Sequence, residues 1–513
     1  MKRSLALLLG LAVLLAALPA AGLAEDTYSY SMVMYNFGPL DEEPVMEKYW
    51  EEKYLVDFDL VYAEQSSKQD QINLMVAAGE IPDVLQDINA ASYFDQGVIG
   101  GWTEEFFREN APRLSAYIDE IQPAAWSYAK YDGELMYSIP GFRLYNSVAA
   151  PIIIRVDWLE AVGITELPKT IEEYEEAFYK FANDDPDGNG QKDTFAISAT
   201  MLPSIYGAYG TFRGKWLPDG DGGVVYGDVK PEAKEALTTL AKWYKDGVID
   251  PEFVTGENQG GYWAISHSFL NGSVGASGMG SFYHWVDATE FPEGVMVGRM
   301  AAAIKEAGVD IKYEAGYPPI GPSGASGTDK ANVTSLRTHF SAQLVADEAR
   351  FARLLQIIDD MMMDLDNSTR ASRGIPGETY EVIDWNGAKS IKMIAANNTD
   401  AINPMGAAAW FMFTEEYNYD FQYMAYAQDF AWYDKHIGPE KNIGYESAIY
   451  GSLPSQSVYK TECDKILNEG FISIITGEKP VDSFEEIVSA WYAAGGQIMT
   501  DEATEIYKRQ TGN

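Results

Sequence analysis

The chain has 513 residues, of which 37 are Lys or Arg and 77 are Asp or Glu, so its formal net charge is −40 at pH 7. This length exceeds what one hydrophobic core of ordinary size organises, and a hydrophobic content of 46% favours a globular protein with two or more lobes. A surface this acidic repels nucleic acid and anionic membranes, which excludes both as partners.

The first 24 residues have the pattern of a signal peptide. Lys2 and Arg3 precede the apolar run from Leu5 to Leu18, and small residues lead to Ala24, after which we expect cleavage. The run is too short to span a bilayer. The single cysteine, Cys463, lies far from the new N-terminus, so we expect no lipid-anchor cysteine and no disulfide. The mature protein is expected to be exported, to a periplasm, a cell surface or the medium.

Alternating strand and helix patterns follow the signal peptide. In order they are a strand from Tyr28 to Tyr35, a helix from Glu42 to Tyr54, a strand from Val56 to Ala63, a helix from Ser67 to Ala78 and a strand from Asp83 to Ile88. This order predicts parallel βα units, which bind ligands at the carboxyl ends of their strands. Asn36 and Asp87 stand at two such ends and are candidates for binding ligand hydroxyl groups.

A capped helix precedes the most distinctive motif. Thr170 and Glu173 form a capping box, and the apolar spacing after them predicts a helix from Ile171 to Asn183. The helix is expected to deliver the acidic loop Asp185–Asp193 at its negative end, which favours a cation.

The acidic loop has the spacing of the front of an EF-hand. Counting from Asp185, oxygen donors fall at positions one, three, five and nine, Gly190 at position six allows a sharp turn, and position seven offers a backbone carbonyl. Position twelve is Ala196 rather than Glu, so one ligand is missing, and an acidic turn without metal is the alternative. We expect a structural calcium, held by Asp185, Asp187, Asn189, Gln191 and Asp193.

Several segments in the same order resemble family 1 extracellular solute-binding proteins, which are the capture subunits of ABC importers. These segments include Asn73–Val84 (NLMVAAGEIPDV), Asp132–Pro140 (DGELMYSIP), Arg155–Leu159 (RVDWL) and Gly374–Tyr380 (GIPGETY). The last is similar to a segment of the large Lpl-type branch, which is related to alginate- and oligosaccharide-binding proteins. The calcium loop also resembles one found in that branch.

The resemblance implies an α/β, two-lobe periplasmic-binding-protein-like fold of type II, with a hinge and an interlobe ligand cleft. Lobe one would comprise residues 25–150 plus 317–366, and lobe two residues 151–316 plus 367–513 with the calcium loop. The implied function is to capture a carbohydrate, an oligosaccharide above all, and to deliver it to ABC permease membrane subunits. We expect the protein to act as a monomer.

Aromatic residues suggest the chemistry of the cleft. The chain has 12 Trp, 33 Tyr and 22 Phe, and sugar rings stack on aromatic faces while their hydroxyls bond to polar side chains. Three stretches match no family segment, namely residues 204–222, 280–289 and 401–436, and specificity is expected in such loops. The candidate stacking residues in or near them are Trp216, Tyr283, Trp285 and Trp410, although core packing is the alternative for any one ring.

Two other classes of function compete with transport. A secreted glycoside hydrolase needs only two suitably spaced carboxylates, but no nucleophile elbow, metalloprotease helix or phosphate loop is present, so we assign no catalytic residues and expect no enzyme. A binding protein for a peptide or another small solute, or a sensory or surface binding protein, could use the same two-lobe fold.

Overall fold

The computed structural model of the chain describes residues 27–512, except 37, 65, 87, 132, 256–265, 279, 288–297, 395–401, 408 and 411–416. The predicted signal peptide and Asp87 lie outside the described residues. No helix within the described part of the chain is long and apolar enough to cross a membrane.

Fifteen strands are described, most of them short. They are β1 (Ser29–Asn36), β2 (Asp57–Glu64), β3 (Val84–Gln86), β4 (Ile139–Phe142), β5 (Ile152–Arg155), β6 (Phe195–Ile197), β7 (Trp216–Pro218), β8 (Val224–Tyr226), β9 (Val274–Ser277), β10 (Tyr313–Gly316), β11 (Thr328–Asp329), β12 (Thr334–Phe340), β13 (Tyr380–Trp385), β14 (Ala388–Met393) and β15 (Gly444–Tyr445).

Helices separate these strands. Those in the first half of the chain are α1 (Val45–Tyr54), α2 (Lys68–Ala78), α3 (Ala90–Asp95), α4 (Glu104–Asn110), α5 (Pro112–Ile121), α6 (Ala125–Tyr128), α7 (Val156–Ala161), α8 (Ile171–Asn183), α9 (Leu202–Ala208) and α10 (Pro231–Lys245). Those in the second half are α11 (His267–Leu270), α12 (Arg299–Ala307), α13 (Ala342–Ala346), α14 (Glu348–Met363), α15 (Leu365–Arg373), α16 (Tyr419–Ala425), α17 (Ala427–His436), α18 (Gly438–Lys441), α19 (Gln456–Ile475), α20 (Phe484–Trp491) and α21 (Gln497–Thr511).

The first sheet has five strands in the order β2-β1-β3-β12-β4. β1 pairs in parallel with both β2 and β3, as the alternating pattern predicts, whereas β12 runs antiparallel to β3 and β4. The predicted helices between these strands are confirmed, and Gly79 ends α2 in the left-handed conformation.

The second sheet has four strands in the order β10-β5-β9-β6. β5 runs antiparallel to both of its neighbours, and β6 is parallel to β9. The carboxyl ends of β6, β9 and β10 therefore share one edge of the sheet with the start of β5.

Both sheets are buried on two faces by helices. In β1, Tyr30, Met32 and Met34 enter one core while Val33 enters another, because successive side chains of a strand alternate between the faces. In β5, Ile154 and Ile153 likewise enter different cores. Two sheets, each between helical layers, make the mixed α/β architecture that was predicted.

The packing bears on one predicted lobe boundary. Residues 367–513 were assigned to lobe two, yet Ala371, Tyr380, Ile391 and Phe421 lie in the core that covers the first sheet. Helix and hairpin patterns identify an apolar face but do not identify which core that face will cover. The described residues of α15, of the β13–β14 hairpin and of α16 therefore pack with the first sheet, and the lobe boundaries stay predictions.

Candidate functional site

Several polar side chains stand at strand ends near the point where the chain passes from the first sheet to the second. Asn36 ends β1, Gln86 ends β3, and the register of Thr338 with Gln86 brings the start of β12 to the same edge. The chain leaves this edge after β4 and enters the second sheet at β5, whose start is level with the end of β10. The segments that connect these strand ends form the junction between the two sheets, and open α/β sheets bind ligands at their strand ends.

Three asparagines tie the segments of this junction together. Asn146 donates from Nδ2 to the Asn332 carbonyl at 2.7 Å, and Asn332 donates to the Ser447 carbonyl at 3.1 Å. Asn442 accepts from the Ala149 backbone N–H at 2.8 Å and donates to the Ser147 carbonyl at 3.0 Å. The amide side chains satisfy backbone groups that no strand pairs, which fixes the segments relative to one another.

A cavity of about 310 Å³ lies at this junction, and we call it the interlobe cavity. Its apolar and glycine lining comprises Ile88, Ala90, Leu336, Ile449 and Gly451. Its hydrogen-bonding lining comprises Tyr137, Asn332, Thr334, Ser335, Tyr450, Ser452 and Gln456. Strand β12 and segments next to β3, β4 and β12 supply the residues up to Leu336. The loop before α19 and the first residue of α19, a helix of the second core, supply the rest. A volume near the lower end of the range for ligand pockets suits a small polar group such as a sugar ring.

Hydrogen bonds hold the walls of the interlobe cavity in place. The Thr334 hydroxyl donates to Gln122 at 2.9 Å, and Gln122 also lies within hydrogen-bonding reach of the Tyr450 hydroxyl. The Tyr450 ring stacks on Tyr128 with centroids 3.9 Å apart and planes 8° apart. The Ser452 hydroxyl accepts from the Ala91 backbone N–H at 3.2 Å, which joins the loop to the first turn of α3.

An aromatic cluster lies at another part of the junction. The Tyr145 ring, in the segment between β4 and β5, is 4.5 Å from the Tyr283 ring and 4.3 Å from the Tyr426 ring, measured between centroids. The Tyr145 hydroxyl donates to Asp429 at 3.1 Å. Burial raises the pKa of Asp429 to about 7, although the Tyr145 hydrogen bond and the charge of Arg373 act in the opposite direction.

The predicted ligand-binding residues occupy different surroundings. Asn36 stands at the strand edge as predicted, where its Oδ1 accepts from the Gly38 backbone N–H at 3.0 Å. Tyr283 belongs to the aromatic cluster at the junction. Trp216 is in the β7–β8 hairpin, where its ring lies 4.9 Å from Tyr226 and only 8% of its surface is exposed. Asp87 lies outside the described residues.

Trp285 and Trp410 are core residues, which corrects their predicted role. Their exposed fractions are 0% and 1%, and each ring packs edge-on against another aromatic ring, Phe269 for Trp285 and Phe58 for Trp410. A ring enclosed by protein has no face on which a sugar can stack. Stacking by these two residues is not carried forward.

The residues that line the interlobe cavity were missed by the sequence-based prediction. They come from three stretches, residues 88–137, 332–336 and 449–456, that are distant along the chain. The only local signal was the composition of the stretch from Tyr445 to Gln456, which has Gly, Ser and Tyr in a loop between structured segments. Such loops often carry binding residues.

The acidic loop after α8 adopts a tight turn that its glycines permit. Asp185, Gly188 and Gly190 all have positive φ angles, of 49°, 69° and 76°. The capping box at Thr170 is present as predicted, and α8 spans Ile171–Asn183. The Thr194 hydroxyl donates to the Phe181 carbonyl at 2.8 Å, which fastens the end of the loop to the helix.

Oxygen atoms converge inside this loop. The Asp185 carboxylate accepts from the backbone N–H of Asn189 at 3.1 Å and of Gly190 at 3.0 Å. The Asn189 amide donates to Asp187 at 2.7 Å and to Asp193 at 3.2 Å. Burial, followed by the proximity of Asp185 and Asp193, raises the pKa of Asp187.

The atoms that the loop offers as metal ligands determine which cations it can bind. Among the described residues, no three His, Cys, Asp or Glu side chains are arranged to hold a metal ion by themselves. The loop therefore needs Asn189 and backbone oxygens in addition to its carboxylates. An all-oxygen set of this kind suits a hard cation such as calcium.

Comparisons with known proteins agree on one family and one fold. A family model described as bacterial extracellular solute-binding protein matches residues 45–342, more than half of the 513 residues. Lipoprotein LipO of Bacillus subtilis (strain 168) is 24% identical over 499 residues, covering 92% of this chain and 90% of LipO. The polygalacturonan/rhamnogalacturonan-binding protein YtcQ of the same strain is 24% identical over 507 residues, covering 94% of this chain and 91% of YtcQ.

Two solved structures share the fold. The alginate-binding protein AlgQ2 without calcium ion has a TM-score of 0.64 at 18% identity, covering 94% of this chain and 98% of that protein. An EF-hand mutant of the S. pneumoniae substrate-binding protein FusA, in complex with fructo-nystose, has a TM-score of 0.60 at 15% identity, covering 94% of this chain and 100% of that protein. Both are solute-binding proteins whose fold agrees with the predicted two-lobe fold.

Proposed function

Since this chain belongs to the bacterial extracellular solute-binding proteins, we propose that it captures an oligosaccharide at the junction of its two sheets and delivers it to the membrane subunits of an ABC importer. It is a binding protein and not an enzyme. The names of YtcQ and AlgQ2 and the ligand of the FusA structure, all carbohydrates, support this substrate class. The single observation that carries the proposal is the interlobe cavity, lined from both sides of the junction.

The chemistry of the interlobe cavity supports a sugar. Tyr450 contributes an aromatic ring whose orientation is fixed by its stacking on Tyr128. Thr334, Ser452 and Gln456 contribute hydroxyl and amide groups, which pair with sugar hydroxyls. Sites that bind sugars combine an aromatic face with polar groups in this way, because a sugar ring has an apolar face and a polar rim.

The predicted cleft residues extend this proposal. Asn36 at the end of β1, Asp87 next to Ile88, and Tyr283 in the aromatic cluster would contact sugar units beyond the one in the interlobe cavity. Trp216 stays a candidate on the second side of the junction, since its backbone carbonyl accepts from Ala448 at 2.8 Å, close to the cavity loop.

Closure around the ligand would provide the signal to the permease. The junction is crossed by several segments that asparagine side chains hold together, so a change of angle between the lobes would move both walls of the interlobe cavity. A ligand that contacts both walls binds the closed state more tightly and therefore shifts the population toward it.

A calorimetric titration with a panel of oligosaccharides tests the function. Tyr450→Ala should weaken binding at least about fivefold, since stacking of a ring on an aromatic side chain typically supplies about 1–3 kcal/mol. Tyr179→Ala, on the outer helix α8 and remote from the interlobe cavity, is the matched control and should bind normally. Failure of the wild-type protein to bind any carbohydrate would contradict the proposal.

The acidic loop is proposed to hold a structural calcium. Its three carboxylates, the Asn189 amide and the Gln191 carbonyl supply the oxygens. Burial first, and then the nearby Asp185 and Asp193, raise the pKa of Asp187, and a bound cation would favour its ionised form. Calcium would fix the turn that joins α8 to β6. The relatives AlgQ2, whose structure was determined without calcium ion, and FusA, which has an EF-hand, support this assignment.

The location follows from the family. An extracellular solute-binding protein is exported, and residues 1–24 are proposed as the signal peptide. LipO is a lipoprotein, whereas this sequence has its single cysteine at position 463, so the absence of a lipid anchor stays a prediction.

A further inference from the structure

The interlobe cavity has an uncharged lining. Of the twelve described residues that surround it, none is Asp, Glu, Lys, Arg or His. Its polar groups are hydroxyls and amides, which donate to and accept from sugar hydroxyls. Burial raises the pKa of Tyr137 and of Tyr450 to about 12, so both phenols are neutral and can donate hydrogen bonds.

The charged groups that act on the two cavity tyrosines do not line the cavity. Arg509 is close enough to Tyr137 to act on its pKa, but its guanidinium lies over the Tyr131 ring, 5.9 Å from the centroid, and does not line the cavity. Glu446, which acts on the pKa of Tyr450, pairs with Lys330 at 2.9 Å. Asp87, which precedes the lining residue Ile88 in the sequence, carries a carboxylate and not a cation.

This lining discriminates between two kinds of sugar. A uronate carries a carboxylate, and burying an ionised carboxylate without a charged partner costs several kcal/mol. The net charge of −40 adds long-range repulsion against a polyanion. A neutral sugar meets neither penalty, because its hydroxyls find neutral donors and acceptors in the lining.

We propose that the interlobe cavity selects an uncharged sugar unit, so that the transported ligand is a neutral oligosaccharide rather than a polymer of uronates. This specificity rests on the proposed function and distinguishes the chain from relatives whose names specify polygalacturonan and alginate. The residues that carry it are Tyr137, Thr334, Tyr450, Ser452 and Gln456.

The test compares neutral oligosaccharides with a galacturonide measured both as its free acid and as its neutral methyl ester. Binding of neutral oligosaccharides (fructans, β-glucans, mannans and galactans), of oligogalacturonides and of the same oligogalacturonides after full methyl esterification is measured by calorimetry at low salt. We expect neutral oligosaccharides to bind, and we expect any affinity for the esterified galacturonide to exceed that for the free acid at least about tenfold. Equal or tighter binding of the free acid would overturn the inference while leaving carbohydrate capture intact. Binding of no carbohydrate at all would overturn both.

A variant of the lining provides the second arm. Gln456→Lys should introduce a cation at the cavity and raise the affinity for the oligogalacturonide acid relative to its methyl ester. Lys460→Gln, four residues along the same helix and paired with Asp464 outside the cavity, controls for general charge effects. If Gln456→Lys leaves the acid-to-ester ratio unchanged while neutral sugars bind normally, the cavity does not decide charge selectivity and the inference is wrong.

Discussion

Calcium should stabilise the protein through the acidic loop, and Asp187→Ala should remove that effect. Burial, and then the nearby Asp185 and Asp193, raise the pKa of Asp187. Its negative charge therefore destabilises the loop without a cation, and a bound cation would remove that destabilisation. Calcium sites of extracellular modules have dissociation constants of about 0.1–1 mM. At 10 mM calcium, binding to the folded state alone then contributes about 1.4–2.7 kcal/mol.

That free energy corresponds to a measurable shift in melting temperature. For a unit of 150–250 residues, 1 kcal/mol changes the melting temperature by about 2–4 °C, so we expect calcium to raise it by about 3–10 °C over chelator. Differential scanning calorimetry of the wild-type protein, with calcium, with magnesium and with chelator, measures this directly. Magnesium should have a smaller effect, because it demands a tighter octahedral geometry than this loop offers.

The variant and its control decide whether the loop is responsible. In chelator, Asp187→Ala should melt no lower than the wild-type protein, since the substitution relieves repulsion between carboxylates. In calcium, Asp187→Ala should melt at a lower temperature than the wild-type protein. The melting temperature of the variant should be the same with calcium and with chelator. Asp221→Ala, in the acidic β7–β8 turn where the Asp221 backbone N–H donates to Asp219, should keep the full shift. A wild-type melting temperature that is the same with calcium and with chelator would refute the assignment.

Three further outcomes are expected. Burial raises the pKa of Asp429 to about 7, above its usual 3.8, so the folded state holds the proton more tightly and the stability of the protein falls as pH rises between these values. Asp429→Asn should therefore have a higher melting temperature than the wild-type protein at pH 8 but not at pH 4. A difference in melting temperature that does not depend on pH would contradict this. Thr170→Ala should lower the free energy of unfolding by about 1 kcal/mol in denaturant titrations, since the Thr170 hydroxyl accepts from the Glu173 backbone N–H at 3.2 Å. Thr238→Ala, on the exposed side of α10, should change the free energy of unfolding little. Equal losses in the two variants would contradict the capping role. Acidification to pH 4 should abolish the calcium-dependent stabilisation, because protonated carboxylates do not bind calcium, and a shift that survives would contradict carboxylate ligation.

Local features of the fold were predicted accurately because their causes are local. The capping box at Thr170 and Glu173 and the apolar face after it define α8 to the residue, and Gly79 ends α2 because glycine tolerates a positive φ. The parallel pairing of β1 with β2 and β3 followed from the alternation of strands and helices.

Features that depend on contacts between distant segments were predicted less well. Trp285 and Trp410 lie in stretches without a family match, as ligand-binding rings would, but their rings fill cores, and sequence alone does not separate a buried ring from one that lines a cleft. For the same reason, the sequence did not indicate that Ala371 and Phe421 pack in the core of the first sheet. The interlobe cavity combines residues more than 300 positions apart, such as Ile88 and Tyr450, so no local pattern identifies it.

Carbohydrate capture at the interlobe cavity is tested most directly by isothermal titration of the wild-type protein, in calcium, with neutral oligosaccharides. The same titration is made with Tyr450→Ala and with the control Tyr179→Ala. We expect saturable binding of at least one neutral oligosaccharide that is weakened at least about fivefold by Tyr450→Ala and unchanged by Tyr179→Ala. Binding that is unaffected by Tyr450→Ala would contradict the role of the interlobe cavity, and the absence of any carbohydrate binding would contradict the proposed function itself.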